Sequence, residues 1–215
     1  MTERTADVAI LKKKKRIARM LRILRKLFPY AKGTELVYRS PWQLLVAVIL
    51  SAQCTDKKVN EVTAELFQKY PDLNDYLALK QSELEKEIYS TGFYRNKAKN
   101  ILAAARVVRH TYGGKLPRTI NEMLAIPGVA RKTANVVLGN LYGIAEGVVV
   151  DTHMIRLSQK LGLTTHSNPS KIEQDLMRIV PKKLWFEFAN LLVLYGRYIC
   201  PAKKHAHEKC PLSKI

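Results

Sequence analysis

The sequence predicts an all-α fold. Three observations carry this reading. Apolar residues recur at three- and four-residue spacing along segment after segment. Helix-start signals, a Ser, Thr, Asp or Asn followed by Pro or by Glu/Gln, stand in front of several of those segments. No alternation of apolar and polar residues reaches a useful strand length, and Val148-Val149-Val150 is too short to stand as one.

The elements follow in order. Residues 8–28 form an amphipathic helix with Ile17, Met20, Leu21, Leu24, Leu27 and Phe28 on one stripe and most of the basic residues elsewhere. Gly33 to Arg39 is a linker. Ser40-Pro41-Trp42-Gln43 combines a cap, a proline at the first helical position and a Gln three residues after the cap. The helix it opens, to about Leu50, is apolar on nearly all sides and therefore buried. A helix from Asp56 to Tyr70 is closed by Pro71. Short helices follow at 72–79 and, behind a Ser82–Glu85 capping box, at 83–90. Gly92 interrupts the chain, and residues 95–112 form a longer helix stopped by Gly113-Gly114. Thr119-Ile120-Asn121-Glu122 caps a helix to about Ala125, and Arg131 to Tyr142 forms another, ended by Gly143. Asp151 starts a helix to about Leu161, Asn168-Pro169 one to Val180, and Pro181 one to about Tyr198. This makes roughly ten helices, with little periodicity in the last 15 residues.

The chain of 215 residues accommodates one large or two small domains, and 47% hydrophobic residues support a packed core. Its net charge of +19 favours a polyanionic partner, nucleic acid or an anionic membrane surface. Residues 1–32 hold 11 Lys/Arg against 2 Asp/Glu. The longest apolar run, Leu44 to Leu50, has 7 residues, against the ~20 of a membrane helix. Lysines 12–15 interrupt any signal-peptide core. Three cysteines argue against a secreted disulfide framework. The expectation is a soluble intracellular protein.

Ile126-Pro127-Gly128-Val129-Ala130-Arg131-Lys132-Thr133-Ala134 carries the densest chemistry. Pro127-Gly128-Val129 permits a sharp turn, because Gly128 tolerates positive φ. Exposed N–H groups in such a turn, beside a helix N-terminus, suit a phosphate oxygen. Ala134, Val137, Leu138 and Leu141 define the buried stripe of the following helix, and Lys132 points nearly opposite to it. An outward helix lysine is ordinarily just a solvated charge. This one stands in the first turn, where the helix dipole disfavours positive charge. An amine used as a nucleophile needs desolvation, or a carboxylate that takes its proton. Val149-Val150-Asp151-Thr152-His153 offers that carboxylate, although Asp151 also suits a helix N-cap.

These residues resemble the endonuclease III family of DNA base-excision glycosylases. Ile126 to Val137 looks like its helix-hairpin-helix, and Val150-Asp151-Thr152-His153 like its catalytic-aspartate segment. Ser51-Ala52-Gln53-Cys54-Thr55-Asp56 and Thr91-Gly92-Phe93-Tyr94-Arg95-Asn96-Lys97-Ala98 resemble two of its DNA-facing loops. The four motifs lie in one register from about Leu21 to Cys200. The resemblance implies two helical domains flanking a DNA-binding cleft, residues 34–145 with the hairpin and residues 1–33 plus 146–215. It implies Lys132 as the nucleophile at C1′ of a damaged nucleotide and Asp151 as stabiliser of the developing positive charge or acceptor of the lysine proton. Pro127, Gly128, Val129, Ala130, Arg131 and Thr133 would grip the backbone. Gln53 matches a residue that fills the gap left by a flipped base, and Phe93 an apolar wedge; taken alone, Phe93 reads more readily as a core aromatic beside a glycine turn. Asp56 either contacts the damaged base or caps its helix, and His153 either contacts the flipped nucleotide or is structural. A lysine at 132 implies combined glycosylase and lyase activity, since adenine-removing relatives lack it.

Two departures stand out. Ala130 replaces the second glycine of the usual hairpin, a mild change if its φ is negative. The family's [4Fe–4S] cluster uses Cys-x6-Cys-x2-Cys-x5-Cys. Here Cys200 fits the first position, His207 holds the second, Cys210 the third, and the fourth would be residue 216. The expectation is no cluster and no metal, the tail being a basic remnant packed by Pro201, Pro211 and Leu212. Zinc on Cys200, His205, His207 and Cys210 is the alternative, disfavoured because the two histidines are close together in sequence. The functional expectation is a monomeric, cytoplasmic, nucleoid-associated enzyme with no membrane partner. It would excise oxidised or ring-saturated pyrimidines from double-stranded DNA and cleave abasic sites. The alternatives are another lesion preference, such as oxidised guanine or mainly abasic sites, and an inert DNA-damage-binding protein.

Overall fold

The computed structural model describes residues 3–31 and 33–215. Among these there are eleven α-helices and no strand, so the all-α expectation holds. By internal contacts the chain divides into one continuous unit, Thr34–Ile144, and a second that joins the chain up to Gly33 with Ala145–Ile215.

The continuous unit is built around α2 (Pro41–Leu50), nine of whose ten residues are buried. The Ser40 hydroxyl accepts the Gln43 amide, and Pro41 occupies the first turn, where no N–H is needed. Gln43 reaches back with its side-chain oxygen to the Arg39 amide at 2.8 Å. Around α2 pack α3 (Asp56–Lys69), α6 (Tyr94–Tyr112) and α8 (Arg131–Tyr142). The short helices α4 (Leu73–Ala78), α5 (Gln81–Ile88) and α7 (Ile120–Leu124) complete the layer. Trp42 meets Tyr76 edge-on at 5.2 Å between ring centroids.

Sequence and structure differ at α5. The expected Ser82–Glu85 box does not form. Glu83 accepts the Lys80 amide at 2.9 Å and so fixes the start two residues earlier, while Glu85 takes a bond from the Gln81 side chain.

The second unit packs α1 (Glu3–Leu27) against α10 (Pro169–Ile179) and α11 (Trp185–Tyr198). Ile17, Met20, Leu21 and Leu24 are 0–3% exposed, so the apolar stripe of α1 is spent on this core. Arg25 forms a two-pronged pair with Glu187 of α11, at 2.7 and 2.8 Å. The guanidinium holds the Glu187 carboxyl below its ordinary range. Among the described residues α1 starts at Glu3, earlier than the apolar pattern shows. α9 (Thr152–Lys160) packs on α11. Pro181 opens a single 3-10 turn, Lys182–Leu184, and the α-helix begins only at Trp185. No helix is long and apolar enough to cross a membrane among the described residues.

Ser40→Ala removes the acceptor for the Gln43 amide and should cost about 1 kcal/mol. The urea midpoint should fall with the slope unchanged; an unmoved midpoint would show that the cap contributes nothing.

Candidate active site and nucleic-acid interface

Within the continuous unit, the hairpin is a tight turn closed by the Val129 amide on the Ile126 carbonyl at 3.1 Å. Gly128 has φ +80° at its third position, the backbone a glycine supplies. A Cβ there would lie 2.8 Å from Cβ of Asn100 on α6, so the hairpin is seated directly on that helix. Ala130 has φ −88° and ψ 168°, so its methyl group is unstrained and the missing second glycine is no loss. Val129 is buried and its amide is already donated, so it serves the fold and offers DNA little. Gly128 and Ala130 are exposed. Ala130 provides no side-chain cap for the head of α8, where a helix leaves amides for an outside acceptor.

Lys132 is exposed in that first turn, while Ala134, Val137 and Leu138 are fully buried on the opposite face, as the periodicity predicts. Arg131 is exposed and Thr133 half-buried beside it.

The other two loops share an anchor that the sequence does not announce. Lys97 of α6 is 5% exposed. Its ammonium donates to the Leu50 carbonyl at 2.8 Å and to the Thr91 carbonyl at 2.8 Å. Leu50 ends α2, so this carbonyl is one a helix leaves unpaired, and a cation suits that end. Burial lowers the lysine's pKa from its ordinary value, and nearby Cys54 opposes the shift. One buried charge therefore ties the root of the 51–55 loop to the root of the 91–93 loop.

Those loops carry Gln53 (φ +53°) and Phe93 (φ +48°), the two non-glycine residues with positive φ among the described residues. Such backbone costs on the order of 1–3 kcal/mol per residue and persists where the surroundings enforce it. Phe93 is 63% exposed, which excludes the core-aromatic reading. Gln53 is exposed too. Asp56 is not the cap of α3; Thr55 is, accepting the Lys58 amide at 3.2 Å. Beside Phe93, Tyr89 and Tyr94 lie 4.7 Å apart between centroids, with the Arg95 guanidinium over Tyr94. The sequence carries no signal for this aromatic and cationic group, since Tyr89 there simply closes a helix.

In the other unit, Asp151 is the N-cap of α9, its Oδ1 accepting the Met154 amide at 2.9 Å. The cap holds the carboxylate at a fixed orientation, half-buried at the head of the helix. His153 lies against Gly196 of α11, where an added Cβ would sit 2.9 Å from its Nδ1, so the ring packs closely on that helix. Lys132 and Asp151 thus belong to different units. In the tail, ligand atoms of Cys200, His205, His207 and Cys210 all lie within 4.8 Å of one another. Sequence proximity of the two histidines is therefore no obstacle, since their rings meet edge-on with centroids 5.8 Å apart.

Lys97→Met should destabilise the protein by about 2–4 kcal/mol by orphaning two buried carbonyls, and should weaken binding to abasic-site DNA. Denaturant melts and titrations with a labelled oligonucleotide check both; unchanged stability would remove the proposed tie between loops. Gly128→Ala should cost more than about 1 kcal/mol through strain, and a neutral result in the same melts would contradict the close seat on Asn100.

The profile of the HhH-GPD superfamily base excision DNA repair proteins matches residues 46–182. The chain is 50% identical to Endonuclease III of Synechocystis sp. over 203 residues, covering 94% of this chain and 92% of that protein. It is 45% identical to Endonuclease III of Bacillus subtilis over 190 residues, covering 88% and 86%. A solved non-covalent Endonuclease III–DNA complex superimposes with a TM-score of 0.85 at 43% identity, covering 93% of this chain and 92% of that one. A trapped Endonuclease III–DNA covalent intermediate gives the same TM-score and identity, covering 93% of both chains. With the hairpin, the first-turn lysine and the capping aspartate each in place, the chain belongs to the endonuclease III family of the HhH-GPD superfamily of base excision DNA repair proteins.

Proposed function

We propose that the protein is a bifunctional DNA glycosylase and abasic-site lyase that removes oxidised or ring-saturated pyrimidines from double-stranded DNA. The observation that carries this reading is Lys132, an exposed amine in the first turn of α8 directly behind the hairpin. A relative of 43% identity forms a covalent intermediate with DNA.

In this reading the Gly128 and Ala130 amides and the head of α8 hold a backbone phosphate. The damaged nucleotide leaves the stack, and Gln53 and Phe93 occupy the space it vacates. The neutral Lys132 amine forms a bond to C1′ while the bond from C1′ to the base breaks. The base departs with that electron pair and takes up a proton. Asp151, its orientation set by the cap, either stabilises the positive charge that builds on the sugar or takes up the proton lost by the amine. Opening of the sugar ring leaves a protonated Schiff base. Loss of a C2′ proton then expels the 3′ phosphate, and hydrolysis frees the lysine. The protein works as a monomer on the nucleoid, and its excess positive charge makes binding steeply salt-dependent.

Borohydride should trap the chain on abasic-site DNA through a reduced amine link. Lys132→Ala should abolish trapping while leaving binding within a fewfold, and Asp151→Asn should slow base release by a factor on the order of 10²–10³. Binding without any trapping by the unaltered protein would instead identify an inert damage-binding protein. A panel of defined lesions tests the pyrimidine preference.

A further inference from the structure

The tail contains a side-chain cluster that the chemistry above does not use. Cys200 follows the end of α11 and is fully buried, its amide bonded to the Tyr195 carbonyl at 2.8 Å. Cys210 is 5% exposed and ends a 3-10 turn, His207–Lys209. Between them the loop turns back twice through its own backbone. The His207 amide bonds to the His205 carbonyl, and the Cys210 amide to the His207 carbonyl, each at 2.9 Å.

The side chains converge. Nδ1 of His207 lies 3.4 Å from Sγ of Cys200. Nδ1 of His205 bonds to the Lys203 carbonyl at 2.8 Å, which makes it the N–H nitrogen and leaves a lone pair on Nε2. That Nε2 is buried and has no hydrogen-bond partner. A histidine held by one nitrogen on a backbone carbonyl, with the other turned inward and unsatisfied, is the arrangement of a metal ligand. Arg156 of α9 points a guanidinium N–H at Sγ of Cys200 from 3.9 Å and bonds to the Pro201 and Gly196 carbonyls, as an outer-shell group does for a coordinating thiolate.

We propose that Cys200, His205, His207 and Cys210 form a four-coordinate site for a single zinc ion. Around one ion at 2.0–2.3 Å, tetrahedral ligand atoms stand about 3.3–3.8 Å apart. The four donors here are already within 4.8 Å of one another. Two thiolates and two imidazoles neutralise a divalent ion and give the mixed sulfur and nitrogen set zinc prefers. All four positions are filled by protein, so the role is structural: the ion closes the loop after α11 and fixes it against α9.

The same observations do not fit a [4Fe–4S] cluster. Such a cluster spreads its ligands over four separate iron atoms and takes cysteine thiolates. Here the donors crowd around one point, and two of them are imidazoles. His205 also falls outside the four-cysteine spacing, yet it turns its open nitrogen inward.

Elemental analysis of the full chain, purified without chelator, should find one zinc per chain and no stoichiometric iron or acid-labile sulfide. Cobalt in place of zinc should give intense tetrahedral d–d bands and thiolate-to-cobalt charge transfer. His205→Ala, in a partly exposed loop, should keep its helical circular dichroism and lose stoichiometric zinc. Four irons with labile sulfide would overturn the proposal, as would unaltered protein that carries no metal and gives no cobalt spectrum. Full zinc retention by His205→Ala would overturn it too. None of these readouts depends on glycosylase activity, so they stand or fall apart from the reading above.

Discussion

The ammonium of Lys97 is the contact on which the nucleic-acid-facing part of the continuous unit depends. It satisfies the last carbonyl of α2 and the carbonyl preceding Gly92, two groups with no helical partner. Three residues along the same helix, Asn100 supports Gly128. The opening turns of α6 therefore gather three loops that are far apart in sequence. A buried lysine is a costly choice for this task, since burial disfavours its charge. It has a compensating property: three donors on a flexible stem reach two carbonyls at once, which no neutral side chain of that length does as well.

The strained residues make sense against that anchor. Gln53 and Phe93 hold left-handed backbone without being glycine. Each loop springs from a carbonyl that Lys97 fixes, and each turns an exposed side chain outward. The hairpin shows the opposite economy. There the positive φ falls on glycine, and the alanine at 130 stays in ordinary extended territory.

Most of the helical plan is legible in the sequence because it rests on local signals. Ser40-Pro41, Asn168-Pro169, Asp151, and the glycines at 113 and 143 mark boundaries the structure keeps. At α5 the sequence offers two acidic residues for the capping role, and Glu83 takes it while Glu85 pairs with Gln81. Lys97 was hidden for a different reason. It stands four, seven and eleven residues before Ile101, Ala104 and Val108 on the buried stripe of α6, but a charged residue there reads as a solvated one, and only tertiary contacts show what its ammonium meets inside. The same limit applies to Phe93, where an aromatic beside a glycine turn reads more readily as core. In the tail, spacing alone weighed against the two histidines, because a sequence does not show which ring nitrogen a backbone carbonyl occupies.

The discontinuous unit has a consequence for how the chain is made. The apolar stripe of α1 shares its core with Leu176, Phe188 and Leu192 of α10 and α11, which follow it by more than 150 residues. During synthesis, the segment from Thr34 to Ile144 emerges with all of its own core present. The first helix leaves the ribosome long before its partners do. For much of that interval Met20, Leu21 and Leu24 have no native surface to cover them, which is the exposure that invites chaperone binding or misassociation. The dense lysines and arginines on the remaining faces of α1 give every copy of that strip the same charge, which opposes association between neighbouring chains.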